Sequence, residues 1–189
     1  GWAKLQDSIM KSRLRKLLRR KLSRQEPAYE TANPSREWVC PDAELVNDLP
    51  NLVSSALMES ITNKQLHALA QPIGPDLWLV PFFEPDTCER ITAVIDHRLA
   101  WQRLLPQNSP NSMHYAGVVF EPMGFDSPMS EIRDRIINPL RREFYPEFGH
   151  LDDDYAFAAT YGHQLARRLG FHVDDSELTL NVALSEGYT

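Results

Sequence analysis

Charge divides this chain into two parts that do not belong in one core. Residues 1–24, GWAKLQDSIMKSRLRKLLRRKLSR, hold nine of the 20 Lys and Arg residues (Lys4, Lys11, Arg13, Arg15, Lys16, Arg19, Arg20, Lys21 and Arg24) and one acid, Asp7. The other 165 residues carry 11 basic and 25 acidic side chains, so a segment of +8 is joined to a body of −14. Trp2, Leu5, Ile9, Leu14, Leu17, Leu18 and Leu22 recur at three-to-four spacing, which predicts a basic amphipathic helix over 1–24. Such a helix suits an acidic protein surface, RNA or an anionic membrane, and the chain's own acidic body fits it equally well. Its Arg and Ser content also resembles an organelle transit segment, and a first residue of Gly rather than Met reads as a processed, tagged or trimmed start.

The remainder reads as a linker, a helical segment and one domain. Residues 25–41 contain Pro27, Pro34 and Pro41 and no apolar period, the composition of a linker. In 42–71, Leu45, Leu49, Leu52, Val53, Leu57 and Ile61 follow helical spacing, interrupted by Pro50 and closed before Pro72, which predicts two helices with the second longer. From about 76 to 189 the order is mixed. Strands are expected at 77–83, 115–120, 155–161 and 177–184. One helix is capped by Asp86 or Thr87, with Ile91, Val94, Ile95 and Leu99 on its buried face. A second starts at Ser127–Pro128, buries Ile132, Ile136, Ile137, Leu140 and Phe144, and is kinked by Pro139. Helices first and strands later argue for an α+β fold, with helices on one face of an antiparallel sheet.

Other classes are excluded by simple counts. No apolar run approaches the roughly 20 residues of a membrane span. Cys40 and Cys88 are the only cysteines and lie far apart, so neither a disulfide framework nor a zinc cluster is indicated. The acidic body and sparse cysteines fit cytosol, nucleus or an organelle matrix alike.

Two His-x-Asp pairs occur, His150-Leu-Asp152 and His172-Val-Asp174. His150 lies in the acidic turn PEFGHLDDDY and reads as a solvated loop histidine. His172 lies between two expected strands, where residues i and i+2 point to one side, as cis ligands of a metal require. In the strand that follows, Leu178, Leu180, Val182 and Leu184 share one face, while Thr179, Asn181 and Ala183 share the other. An apolar core face opposite a small polar face suits the wall of a ligand cavity in a barrel or jelly roll. A half-solvated sheet with a surface His and Asp accounts for the same alternation.

In chain order, PFFEPDTCERI, PNSMHYAGVVFEPMGF, PLRREFYPEF and LGFHVDDSELTLNVALS together resemble the iron(II)- and 2-oxoglutarate-dependent oxygenases of the prolyl/lysyl hydroxylase-like group. The resemblance covers about 77–186 and does not reach 1–76. It implies a double-stranded β-helix (jelly-roll) core with N-terminal helices packed on it, only the first half of that core lying in this chain. It implies Fe(II) and 2-oxoglutarate as cofactors, with ascorbate as an accessory reductant, and hydroxylation of a protein side chain such as Pro or Lys. By position, His172 and Asp174 match two ligands of the facial triad. Tyr161 matches the tyrosine that helps seat 2-oxoglutarate, and Asn181 is a further candidate for that pocket. No catalytic residue beyond the metal ligands is implied.

One departure from the family is large. Its second histidine ligand and the basic residue that pairs with 2-oxoglutarate follow the His-x-Asp strand. The 15 residues after Asp174 include no His, Arg or Lys. His67 and His97 fall on predicted helices, and His114 and His163 on element flanks, so none is a good substitute. The expectation is therefore a portion of a longer oxygenase. The alternative is a non-catalytic oxygenase-like subunit that binds a larger assembly through its basic N-terminal helix.

Overall fold

The computed structural model describes residues 38–102, 117–161, 174 and 176–185. The chain divides into two units, Gly1–Glu37 and Trp38–Thr189, and the described residues all fall in the second. The basic segment 1–24, most of the 25–41 linker and His172 lie outside the described residues.

The helical segment starts where a carboxylate closes a helix end. Asp42 accepts the Leu45 N–H at 2.9 Å and caps α1 (Ala43–Asp48). The same carboxylate takes a two-pronged bond from Arg90, Nε to Oδ2 at 2.9 Å and Nη2 to Oδ1 at 3.0 Å, which ties α1 to a helix 48 residues away. The Arg90 guanidinium, then the Leu45 amide, holds the Asp42 carboxyl below its ordinary range.

Two helices, the second longer, were expected over 42–71, and three short ones form instead. Pro50, with no N–H to give, turns Leu49–Asn51 into a single 3₁₀ turn. Ser54 then takes an extended ψ of 137° and caps α2 (Ser55–Thr62), its Oγ accepting the Leu57 N–H at 3.3 Å. Lys64, at φ +56°, stops α2 before α3 (Leu66–Leu69). Ser54 is buried and fully used: its hydroxyl donates to the Pro81 carbonyl at 2.6 Å and its N–H to the Phe82 carbonyl at 2.8 Å.

The strand expected at 77–83 is shorter. β1 (Gln71–Gly74) and β2 (Leu77–Leu79) form an antiparallel hairpin whose register pairs Gln71 with Leu79 and Pro72 with Trp78. Pro81 cannot donate to a ladder, so pairing lapses there and resumes as a lone bridge between Val53 and Phe83. Tyr145 donates its hydroxyl to the Asp76 carbonyl at 2.8 Å, and Trp78 stacks on Phe144 at 4.5 Å, so the hairpin is fastened from one side.

α4 (Pro85–Gln102) begins one or two residues before the expected cap, with Pro85 in the first turn. Its stripe Ile91, Val94 and Ile95 is buried, with Leu99 packed at the edge as the spacing predicts. After β3 (Gly117–Val119) and a short turn at Glu121–Met123, Gly124 takes φ +88° and Phe125 enters the core. α5 (Asp126–Ile132) passes through a π-helical turn, Arg133–Ile137, into α6 (Asn138–Phe144). This turn is how the helix accommodates Pro139, which lacks an N–H and would clash with the preceding turn. Ile132, Ile136 and Leu140 are buried, while Ile137 and Phe144 pack beside them.

Asn138, 2% exposed, is a polar residue on this apolar face. Its amide donates to the Leu151 carbonyl at 3.0 Å and accepts the Leu151 N–H at 2.9 Å, reproducing a strand pair with a side chain. That fixes the loop into β4 (Phe157–Ala159), which pairs antiparallel with β3 in the register Gly117 with Ala159 and Val119 with Phe157.

The α+β class stands. The jelly roll is not seen: the sheet structure among the described residues consists of two two-stranded ribbons, β1–β2 and β3–β4. The strand expected at 177–184 is not paired into any sheet, although Val182 and Leu184 do pack on the core. Leu180 departs from the expected apolar face and is 41% exposed. Two of the four side chains on the expected apolar face thus anchor the segment, and pairing needs a neighbour that alternation does not specify. Cys40 and Cys88 are free thiols, and no described helix is long and apolar enough to cross a membrane.

Replacing Asp42 separates its two roles. Asp42→Asn keeps a good cap and loses the charge pair, costing about 0.2–1 kcal/mol, whereas Asp42→Ala loses both and costs about 1–2 kcal/mol in urea unfolding at pH 7. Because the folded-state value is lowered, the pair stabilises above the unfolded value of about 3.9 and fades as pH falls through the folded one. The deficit of Asp42→Asn should therefore shrink toward pH 3. Asn138→Ala strands the Leu151 N–H and C=O and should cost about 1–3 kcal/mol.

Candidate metal centre

The residues singled out from sequence lie in and after β4. β4 alternates strictly. Ala158 packs on the core, while Tyr155, Phe157 and Tyr161 stand exposed on the other side, the Tyr155 and Phe157 rings 5.7 Å apart. Tyr161, two residues past the strand, is 42% exposed.

The approach to β4 is held by charge. Arg133, 17% exposed, donates from Nη1 to Asp154 Oδ2 at 2.7 Å and from Nε to Asp134 Oδ1 at 2.9 Å. Ser130 donates to the same Asp154 oxygen at 3.2 Å. Burial pushes the Asp154 carboxyl up; Arg133 and Ser130 pull it down without cancelling that effect.

Asp174 lies on the surface with a defined orientation. Thr179 donates its hydroxyl to Asp174 Oδ2 at 2.8 Å, and the Thr179 and Ser176 hydroxyls are 3.0 Å apart. Val182 and Leu184 seat the end of this segment on the core, leaving Asn181 exposed between Leu180 and Val182. His172 lies outside the described residues, so its placement against Asp174 is not described. His150 is an exposed loop residue, and His67 and His97 are helical, as expected. Among the described residues no group of three or more His, Cys, Asp or Glu is arranged to hold a metal ion.

The sequence placed Thr179 on the small polar face without pairing it with Asp174, and Asn138 and Arg133 were not foreseen. Thr179 carried a usable signal: a hydroxyl on the polar side of the alternation, five residues past Asp174. Asn138 and Arg133 sit within an apolar helical pattern, and their partners are set by tertiary packing.

A small cleft of about 40 Å³ lies beside this region, lined by Phe120, Glu121, Phe125, Asp126, Asp154 and Tyr155 among others. It has room for a few waters. A five-carbon diacid does not fit there, and the carboxylate lining repels one.

Donor chemistry can be tested against iron. An imidazole and a carboxylate suit Fe(II), and a ligand carboxylate is ordinarily held by an outer hydrogen bond, as Thr179 holds Asp174. Asp174 and the neighbouring His172 thus fit as part of a donor set.

Comparison with known proteins places this α+β body among the 2-oxoglutarate and iron-dependent oxygenases. Residues 39–150 match the model of a family described as the OGFOD2-like domain, and the chain belongs to that family. The match begins well upstream of residue 77, taking in α1 to α3, which the motif resemblance did not reach. The chain is 35% identical to human 2-oxoglutarate and iron-dependent oxygenase domain-containing protein 2, over 86% of this chain and 47% of that protein. Against the mouse protein of the same name it is 30% identical, with the same coverage. A third relative is the Arabidopsis thaliana 2-oxoglutarate and iron-dependent oxygenase domain-containing protein ICU11, 34% identical over 61% of this chain and 30% of that protein. The chain spans less than half the length of these relatives. No solved structure matches.

The Asp154 pair makes a pH-dependent prediction. A carboxyl raised in the fold adds stability below its unfolded value of about 3.9 and loses it as pH rises. Arg133→Gln removes the counter-charge and raises the carboxyl further. Its deficit against the parent should be small near pH 3.5 and grow to about 1–2 kcal/mol by pH 7, followed by urea unfolding.

Proposed function

We propose that His172 and Asp174 supply two of the protein ligands to Fe(II) in a 2-oxoglutarate-dependent oxygenase that hydroxylates a protein side chain, prolyl or lysyl. The observation that carries this reading is the hydroxyl of Thr179 directed at Asp174 Oδ2, on a segment anchored by Val182 and Leu184. A surface aspartate needs no such orientation, whereas a metal ligand depends on it. The names of the relatives, each an iron- and 2-oxoglutarate-dependent oxygenase domain protein, support the same chemistry.

When bound, iron with 2-oxoglutarate and oxygen oxidises a substrate C–H bond and releases succinate and carbon dioxide. This chain's residues bind and orient. Thr179 donates to Asp174 Oδ2 and would steady the carboxylate as a ligand. Tyr161 presents a phenol on the exposed face of β4 that can donate to 2-oxoglutarate, and the Asn181 amide, also exposed, is a second donor for that pocket. Ascorbate would act as accessory reductant. Completing the donor set falls to parts of the relatives' length that this chain does not span.

A second reading draws on the +8 segment at 1–24: an oxygenase-like subunit that attaches to a larger assembly, on an acidic protein surface or RNA, without turnover.

In the complete protein supplied with Fe(II), 2-oxoglutarate and Pro- or Lys-containing peptides, succinate should form in step with addition of one oxygen atom to peptide. His172→Ala and Asp174→Ala should abolish both, and Thr179→Val should weaken Fe(II) binding about tenfold. Succinate formation that survives His172→Ala would overturn the assignment. Loss of assembly on deleting 1–24, with no succinate from the intact protein, would favour the second reading.

A further inference from the structure

Arginines in the body are handled in two ways. Arg90, Arg133 and Arg135 each pair with a carboxylate. Arg98, in α4, does not: no ion pair to it occurs among the described residues. Its guanidinium carbon lies 4.4 Å from the centroid of the Trp101 ring and 5.1 Å from that of Trp38. Arginine tolerates such stacking because its guanidinium is planar and weakly hydrated. The position is still costly. Nε is buried with no acceptor, and burial lowers the guanidinium below its ordinary range with no carboxylate to offset it.

The surroundings add a donor. Trp38 donates its indole N–H to Nδ1 of His97 at 3.1 Å. An indole is only a donor, so Nδ1 must accept, and the neutral ring carries its proton on Nε2. His97 is exposed, so this N–H is available at the rim. Nε is buried, so a ligand taken by the Arg98 fork would be held by the Nη pair.

We propose that Trp38, His97, Arg98 and Trp101 form a carboxylate-binding site, in which the Nη pair of Arg98 takes both oxygens of one carboxylate and His97 Nε2–H supports it from the rim. The charge count selects the ligand. One guanidinium and one neutral imidazole supply a single positive charge, which a carboxylate matches. A phosphate monoester carries about −1.5 to −2 at neutral pH and would leave excess negative charge against indole faces on a body of −14. Two sources present this group, an Asp, Glu or terminal carboxylate of a peptide and a free small carboxylate.

The site can be read directly, because the chain has four tryptophans, Trp2, Trp38, Trp78 and Trp101, and their indole N–H signals resolve in a ¹H–¹⁵N spectrum. The 189-residue protein is titrated at constant ionic strength with sodium acetate, with sodium phosphate, and with acetyl-Gly-Gly-Glu-Gly-Gly-amide beside its Gln counterpart. Saturable shifts of Trp38 and Trp101 are expected with acetate and with the Glu peptide, leaving Trp2 and Trp78 in place. The Gln peptide should produce none. Tighter binding of the Glu peptide than of acetate assigns a peptide source; equal binding assigns the free carboxylate. Arg98→Lys keeps the charge and loses the fork, so it should weaken binding about tenfold while thermal unfolding shows an intact fold. Absence of saturation at Trp38 and Trp101, tighter binding of phosphate than acetate, or unchanged affinity in a folded Arg98→Lys protein would overturn the proposal.

Discussion

The apolar stripe of α4 is the surface against which the described unit is built. Ile91, Val94 and Ile95 are almost fully buried, and they belong to one continuous core with Leu45, Leu49 and Leu57 from the helical segment and Ile132, Ile136 and Leu140 from the later helices. Each such side chain contributes about 1.5–3 kcal/mol when taken out of water, so this contact outweighs any single polar link in the unit. Polar groups then decide alignment. Asp42 with Arg90 sets α1 against α4, Ser54 sets α2 against the chain at Pro81 and Phe82, and Asn138 sets the β4 approach against α6.

That hierarchy leads to the candidate metal centre. Core burial places α5 and α6, Asn138 and Arg133 fasten the loop that follows, and β4 then carries Tyr161 on its exposed side. The segment bearing Asp174 is seated by Val182 and Leu184, and Thr179 orients the carboxylate. On the proposed reading of Asp174 as a ligand, that hydrogen bond would lower the cost of gathering a metal site.

Much of this was legible in the residues. The buried faces of α4 and of the helix from Ser127 follow from 3.6-residue spacing, and β3 and β4 lie within the stretches where β-branched and aromatic side chains predict strands. Two features were not legible. Pro139 signals a disturbance without saying whether it resolves as a kink or, as here, a π-helical turn. In the 177–184 alternation Val182 and Leu184 pack on the core and Leu180 does not, and strand pairing depends on partners elsewhere in the chain, so that no sheet forms on it among the described residues. A jelly roll is likewise a property of several segments at once, and the described residues show only two two-stranded sheets. His-x-Asp spacing by itself is a weak signal, because His150 and Asp152 share it in an acidic loop, and the Thr179 hydroxyl that reaches Asp174 is set by the local turn rather than by the spacing.

Iron content of the complete protein, loaded with Fe(II) under argon and desalted, tests the account most directly when the parent is compared with His172→Ala. The account requires one iron per chain in the parent and almost none in the variant, with unfolding curves that coincide. Equal iron in both proteins, or none in either, would contradict the assignment of His172 and Asp174 as ligands.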